Sequence, residues 1–405
     1  MFTTITLGKR LNSTQHTRYS PESSKWASDF FVKASMPFLL SPTKLKLKTN
    51  TVFMKRSILI LLSSVLLFSL QVAAQTSKAD ELLKAFVAET KVPGLSISIS
   101  QKGKLVFSKG YGFEDLEKQT PVDPSKTKFR IGSVSKTVTA AGLAKLYEAG
   151  KIDLDAPIET YVPSWPAKGE TITLRMLAGH LAGIRHYKGL EFMSNKKYET
   201  VTEGLDIFMN DPYINKPGTE YAYSSYGWNL ISAAMETAAN EGFLSFMQTD
   251  VFNALDMENT EADHADRKID RRTKFYQFRN GKVVNAPYVD NSYKWAGGGF
   301  VGTTEDLCKV GQAHMQSGYL KENTLKEWMK GQTTNVGKAT NYGIGWRTFE
   351  RPNGQTYYGH SGGSVGGITY FLIHKPSQTV LAIAGNMDPL NYDGLQFDLM
   401  ELFIN

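Results

Sequence analysis

Two groups of period-two hydrophobic runs, one near each end of the chain, constrain the fold more than any other feature. Near the start, Leu95-Ser96-Ile97-Ser98-Ile99-Ser100 alternates apolar and polar residues, and Lys102-Gly103 turns it into Leu105 to Gly112. Side chains along a strand point to alternate faces, so this pattern predicts a β-hairpin. Near the end, Tyr342 to Trp346, Gln355 to Gly359, Thr369 to Ile373 and Thr379 to Ala384 read as strands, the last as a buried run. From Leu154 to about Val301 the patterns are helical and loop-rich. A helix over Lys78 to Lys91 precedes the hairpin, and an amphipathic segment from Gly394 to Phe403 closes the chain. The expectation is an α+β fold. One antiparallel sheet is formed by both chain ends and flanked by helices, with a mainly helical insertion over about 151–301.

Charge is unevenly distributed. The 405 residues carry a formal charge of +7, but residues 1–74 hold ten Lys or Arg against two acids. Residues 75–405 therefore carry 36 basic and 37 acidic side chains, a near-neutral body with no electrostatic case for nucleic acid. The leader has the layout of a secretory signal: Met54-Lys55-Arg56, an apolar run from Ser57 to Leu70, then Val72-Ala73-Ala74 before Gln75. The run is shorter than the ~20 residues a spanning helix needs. Residues 54–74 are thus read as a signal peptide and 75–405 as a periplasmic or secreted domain without a membrane span. Residues 1–53 are Ser/Thr/Lys-rich and acid-poor, and are read as a non-native or unstructured extension ahead of a true start at Met54. The alternative is a mitochondrial transit peptide. Cys308 is the one cysteine, so no disulfide forms within the chain.

Chemistry concentrates in three places. Ser133 and Lys136 are three apart at the start of a predicted helix running to about Gly150, so they share a face. A serine beside a lysine is a nucleophile beside its base, provided that burial or neighbouring cations lower the lysine below its ordinary pKa of about 10.4. Tyr223-Ser224-Ser225 lies in a loop before a second helix, where a tyrosine can relay the proton. His360-Ser361-Gly362-Gly363 ends a strand, and its glycines let backbone approach a ligand. The N–H groups of Gly363 and Ser133 are candidates for an oxyanion hole, and His360 for orienting substrate or tuning Lys136.

Ser133-x-x-Lys136, then Tyr223-Ser224-Ser225, then His360-x-Gly362 resembles the serine β-lactamase and penicillin-binding-protein superfamily, in particular its class C and D-alanyl-D-alanine carboxypeptidase branch. Gly183 to Tyr187, Asn210-Asp211-Pro212 and Pro287 to Phe300 resemble the branch found in animal mitochondria. The resemblance covers about residues 80–400 and implies an acyl-serine hydrolase without a cofactor. It makes Ser133 the nucleophile, Lys136 its proton acceptor and Tyr223 the second base. Ser225, His360, Ser361, Gly362 and Gly363 would line the substrate edge. Where the family carries Asn, this chain has Ser225, whose shorter hydroxyl is not expected to reach the lysine; efficient penicillin hydrolysis is therefore not expected, while acyl transfer is.

The expected partner is a small peptide or ester substrate, with self-association left open. A non-catalytic binding or assembly protein on the same fold is the competing class. No His-x-x-x-His or His-Glu-x-x-His pattern occurs, and no metal is expected. Arg185 and His186 either face the substrate or brace a loop. Gly297-Gly298-Gly299 is read as letting Trp295 pack near the cleft.

Overall fold

A computed structural model describes residues 73–404. The extension over residues 1–53 and the signal segment up to residue 72 lie outside the described residues. Helix α1 spans 73–90. A seven-stranded sheet follows, built from β1 (Gly94–Gln101), β2 (Lys104–Asp115), β3 (Thr120–Pro121), β4 (Arg347–Glu350), β5 (Thr356–Ser364), β6 (Gly367–His374) and β7 (Thr379–Gly385). Its order is β3-β2-β1-β7-β6-β5-β4. The two chain ends meet where β1 pairs antiparallel with β7, from Leu95↔Gly385 to Gln101↔Thr379. The α+β class and its antiparallel sheet follow from this pairing.

The alternation along β1 has a reason that the pattern alone does not reveal. Leu95, Ile97 and Ile99 pack with Leu372, Leu381 and Ile383 beneath α1 and the last helix, α5 (Leu395–Ile404). The intervening serines do not face water. Ser96 and Ser98 are fully buried, and each hydroxyl lies 2.8 Å from Thr304 Oγ1 at the start of α4 (Thr304–Ala313). Paired hydroxyls satisfy one another, so a polar stripe is tolerated inside.

Helix α2 (Val134–Glu148) is the central helix: every side chain from Val134 to Ala144 is buried. A helix buried all round belongs to the core rather than the surface. It runs between the sheet and the middle of the chain, so its first residue sits where the two meet. That middle holds α3 (Tyr226–Ala239) and several short helical turns. It also contains a hairpin, Tyr276–Arg279 with Lys282–Asn285. Its turn is Asn280-Gly281, both with positive φ (48° and 77°), the strongest short hairpin signal in a sequence.

One expected strand is absent. Tyr342 to Trp346 is irregular; the strand begins at Arg347. Gly345 takes φ +75°, and its carbonyl accepts from Thr137 Oγ1 at 2.8 Å. A Cβ there would lie 2.8 Å from Ala140 Cβ, so the segment is shaped by contact with α2 rather than by a ladder.

Candidate active site

Ser133 precedes α2 in N-cap position, yet its side chain makes no capping bond. A serine there ordinarily spends its oxygen on a helix N–H; this hydroxyl is left for other partners. One turn on, Lys136 is fully buried, with Nζ 3.2 Å from Ser133 Oγ and 2.9 Å from Ser225 Oγ, and it donates to the carbonyl of Gly297. Ser225 thus reaches the lysine, contrary to the expectation from its length. The reason is close approach: a Cβ on Gly297 would lie 2.9 Å from the Ser225 carbonyl, so the glycine brings that backbone in. Trp295, expected near the cleft, packs instead on His264, 5.0 Å between ring centroids.

The loop before α3 is held from behind by two histidines. His180 Nδ1 accepts from Ser224 N–H and His186 Nδ1 from Ser225 N–H, both at 3.2 Å. The His180 ring lies 4.3 Å from that of Tyr223 and 4.5 Å from that of Tyr342. Tyr223 lines the same cleft as Ser133 and Ser225, and its ring lies 5.0 Å from Lys136 Nζ. The two readings for Arg185 and His186 separate: Arg185 braces, paired with Glu191 at 2.7 Å and with Asp211, while His186 lines the cleft.

Strand β5 forms the facing wall. A Cβ on Gly362 would lie 1.9 Å from the Ile131 carbonyl oxygen, and one on Gly132 (φ +51°) 2.8 Å from Gly363 N. Bare backbone therefore packs against bare backbone where α2 starts, which sets Ser133 beside Gly363. Ser133, Tyr223, Ser225, His360, Ser361 and Gly363 share one cleft of about 320 Å³. Gly362 faces the start of α2 instead, and Lys136 lies behind Ser133. His360 is tied to Tyr342 Oη at 2.8 Å and to the Ser361 carbonyl at 2.5 Å.

The electrostatics follow from burial. Desolvation, then the charge of Lys294, holds Lys136 well below the usual lysine range. Burial, then Lys136, lowers His360 to about 3, and burial with Lys136 and Lys294 lowers His186 to about 4. Burial pushes Tyr223 above the usual tyrosine range. Each of these shifts favours the uncharged form of Lys136, Tyr223, His186 and His360. In its uncharged form a lysine amine has two N–H donors and one lone pair. Gly297 O and Ser225 Oγ are placed to accept those two donors, which would turn the lone pair toward the Ser133 hydroxyl.

The family described as Beta-lactamase matches residues 79–400. The human mitochondrial serine beta-lactamase-like protein LACTB is 33% identical over 396 residues, covering 74% of this chain and 72% of that protein. The chain belongs to the β-lactamase family. Members of this superfamily are in general serine hydrolases, among them amidases, esterases and β-lactamases. Two solved structures share the fold. The octameric penicillin-binding protein homologue of Pyrococcus abyssi has TM-score 0.70 and 23% identity, covering 80% of this chain and 77% of its own. The D-amino acid amidase of Ochrobactrum anthropi SV3 has TM-score 0.69 and 20% identity, covering 80% and 98%.

Within this β-lactamase-family cleft the sequence reading left out Tyr187, Phe192, Lys294 and Arg347. Tyr187 and Lys294 lie within the stretches Gly183 to Tyr187 and Pro287 to Phe300 that resemble the mitochondrial branch, but no spacing assigns them to the cleft; Phe192 and Arg347 lie in no such stretch. Among the described residues no group of three His, Cys, Asp or Glu is placed to hold a metal ion, and no helix is long and apolar enough to cross a membrane.

Proposed function

We propose that this protein is an acyl-transferring serine hydrolase that cleaves a small peptide or ester through an acyl-Ser133 intermediate. The observation that carries the reading is the partner set of Lys136: two acceptors and the Ser133 hydroxyl around an amine whose hold on its proton burial weakens. In the first half-reaction the Ser133 proton passes to Lys136 Nζ as Oγ bonds to the substrate carbonyl carbon. The resulting oxyanion is held by the N–H groups of Ser133 and Gly363. The bond to the leaving group then breaks, and Tyr223, a phenol lining the same cleft, hands that group a proton and recovers one from Lys136 by way of the cleft hydroxyls. Water repeats the sequence in reverse and releases the acid, so no net proton is lost. His360 is a neutral support of the wall, since Tyr342 and the Ser361 carbonyl occupy both its nitrogens.

The same reading places the mature chain from Gln75 onward in the periplasm or outside the cell, exported by the 54–74 segment. The mitochondrial setting of the human relative speaks for the alternative address.

The deciding experiment is covalent labelling. Incubation with a fluorophosphonate, and separately with a penicillin, followed by intact mass measurement, is expected to add one adduct to the native protein and none to Ser133→Ala of unchanged circular dichroism. Absence of an adduct together with no turnover of ester and D- and L-peptide panels favours the non-catalytic binding protein instead.

A further inference from the structure

A second cavity, of about 690 Å³, shares no lining residue with the Ser133 cleft. It lies between the β2–β3 turn, the loop over residues 265–275 and the stretch 285–289 that follows the hairpin. Six Lys and Arg side chains line it against four Asp and Glu, so its wall carries a surplus of positive charge.

The acids on that wall are already committed. Glu114 accepts from Thr127 Oγ1 at 2.5 Å and pairs with Arg271 at 3.0 Å. Asp115 Oδ1 accepts the N–H groups of Glu117 and Lys118, at 3.0 and 3.2 Å. Glu117 and Asp270 stand on the exposed rim, where Lys118, Lys268 and Lys274 stand too.

The two other arginines of the wall have one counterion between them. Arg130, 6% exposed, donates through Nε to Asp263 Oδ2 at 2.6 Å, and Arg272 donates through Nη1 to Oδ1 of the same carboxylate at 2.9 Å. Asn291 takes a further share of Asp263, at 2.7 Å. One positive charge is left unanswered where little water reaches. Donors are left over as well. Arg130 gives Nη1 to the Val365 carbonyl and Arg272 gives Nη1 also to the His264 carbonyl, so Nη2 of each has no partner among the described residues. Arg271 Nε is buried with no partner at all. Buried donors are nearly always satisfied, so these point to a group that comes from outside the chain.

We infer that this cavity is a second ligand site, and that it takes a small phosphate monoester. Guanidinium forks match phosphate oxygens, and the three rim lysines add the charge that a dianion calls for. A bare phosphate would leave most of about 690 Å³ empty. The body of the ester has apolar surface to lie on: Ile269 and Val289 are buried in the wall, and the Tyr288 ring is 61% exposed beside them. The site does not depend on the hydrolase reading.

Calorimetry at pH 7.5, where a phosphate monoester is a dianion, tests the inference. Phenyl phosphate, adenosine 5′-monophosphate and glucose 6-phosphate are titrated into the protein, with phenol and benzoate as controls. Phenyl phosphate is expected to bind one per chain, with phenol and benzoate at least about tenfold weaker. The nucleotide and the sugar phosphate tell an aromatic body from a polar one, and Tyr288 predicts that the nucleotide binds more tightly. Arg272→Gln should weaken phenyl phosphate about tenfold or more, and the double variant Lys268→Gln/Lys274→Gln by a smaller factor. Arg347→Gln, in the Ser133 cleft, should bind as the native protein does.

Absence of saturable binding by all three phosphates, or benzoate binding as tightly as phenyl phosphate, overturns the inference. So does affinity that falls in Arg347→Gln while Arg272→Gln keeps it, since the phosphate would then sit in the Ser133 cleft. Should Arg272→Gln fail to fold, the exposed lysine pair decides: affinity unchanged in Lys268→Gln/Lys274→Gln rejects the site.

Discussion

The Nζ of Lys136 lies 2.9 Å from the Oγ of Ser225, nearer than the 3.2 Å that separates it from the Ser133 hydroxyl. The serine that stands in place of the family's asparagine therefore belongs to the lysine's own support. Ser225→Ala removes one of two acceptors that orient the amine. Acylation by a fluorophosphonate, followed in stopped flow, is expected to slow about tenfold, as loss of one oriented hydrogen bond implies. An unchanged rate would remove Ser225 from the proton path.

The pH dependence of acylation follows from two lysines. On the proposed mechanism the Lys136 amine is the active form, so the rate is expected to rise with pH through a value well below that of an ordinary lysine. The Lys294 charge contributes to that lowering. Removing it in Lys294→Met lets Lys136 hold its proton to higher pH, and the acid limb of the pH–rate profile should move upward. Tyr223 stays a phenol beyond the usual tyrosine range, so no alkaline fall arises from it near pH 9 to 10. An acid limb in the variant at or below the native position would contradict the coupling.

Stability should fall on mild acidification for a separate reason. His186 and His314 are lowered to about 4 and His360 to about 3, in each case first by burial, and His180 lies well below its ordinary value. In the unfolded chain each titrates at about 6.5. Their folded values are depressed, so the unfolded state binds more protons below that pH. Their contribution is full above about pH 6.5 and is lost as pH falls toward 4. The Tm measured from pH 7.5 to 4.5 is expected to drop steadily, and His314→Gln, at a position that does not line the cleft, should flatten the slope. A flat Tm across that window would show that these rings take up protons in the folded state.

Two neighbouring glycines should respond in opposite ways. Gly362→Ala places a methyl 1.9 Å from the Ile131 carbonyl oxygen, so the start of α2 and β5 must part. Labelling of Ser133 is expected to fall by more than about 100-fold, as removal of oxyanion support does, with a lowered Tm. At Gly363 a Cβ would meet only Ile368 Cδ1, at 3.8 Å. Gly363→Ala should keep the native Tm. Equal Tm values for the two variants would mean that the close backbone contact is not rigid.

Much of this molecule was determined by the sequence alone, because period and residue type are local properties. Alternation in β1 and in β5 to β7 specified strands at both ends of the chain, and strands need partners, so a sheet joining the ends was implied. Ser133 and Lys136 shared a face because a helix repeats every 3.6 residues or so. Other features were decided only in three dimensions. The serines of β1 are buried because Thr304 meets them, and Tyr342 to Trp346 bends because α2 is in its way. Ser225 reaches Lys136 because Gly297 has no side chain to hold the two backbones apart. Lys294 enters the Ser133 cleft only through the fold, and its charge bears on Lys136 there. Desolvation and close backbone approach are sums over distant segments, and no spacing along the chain records them.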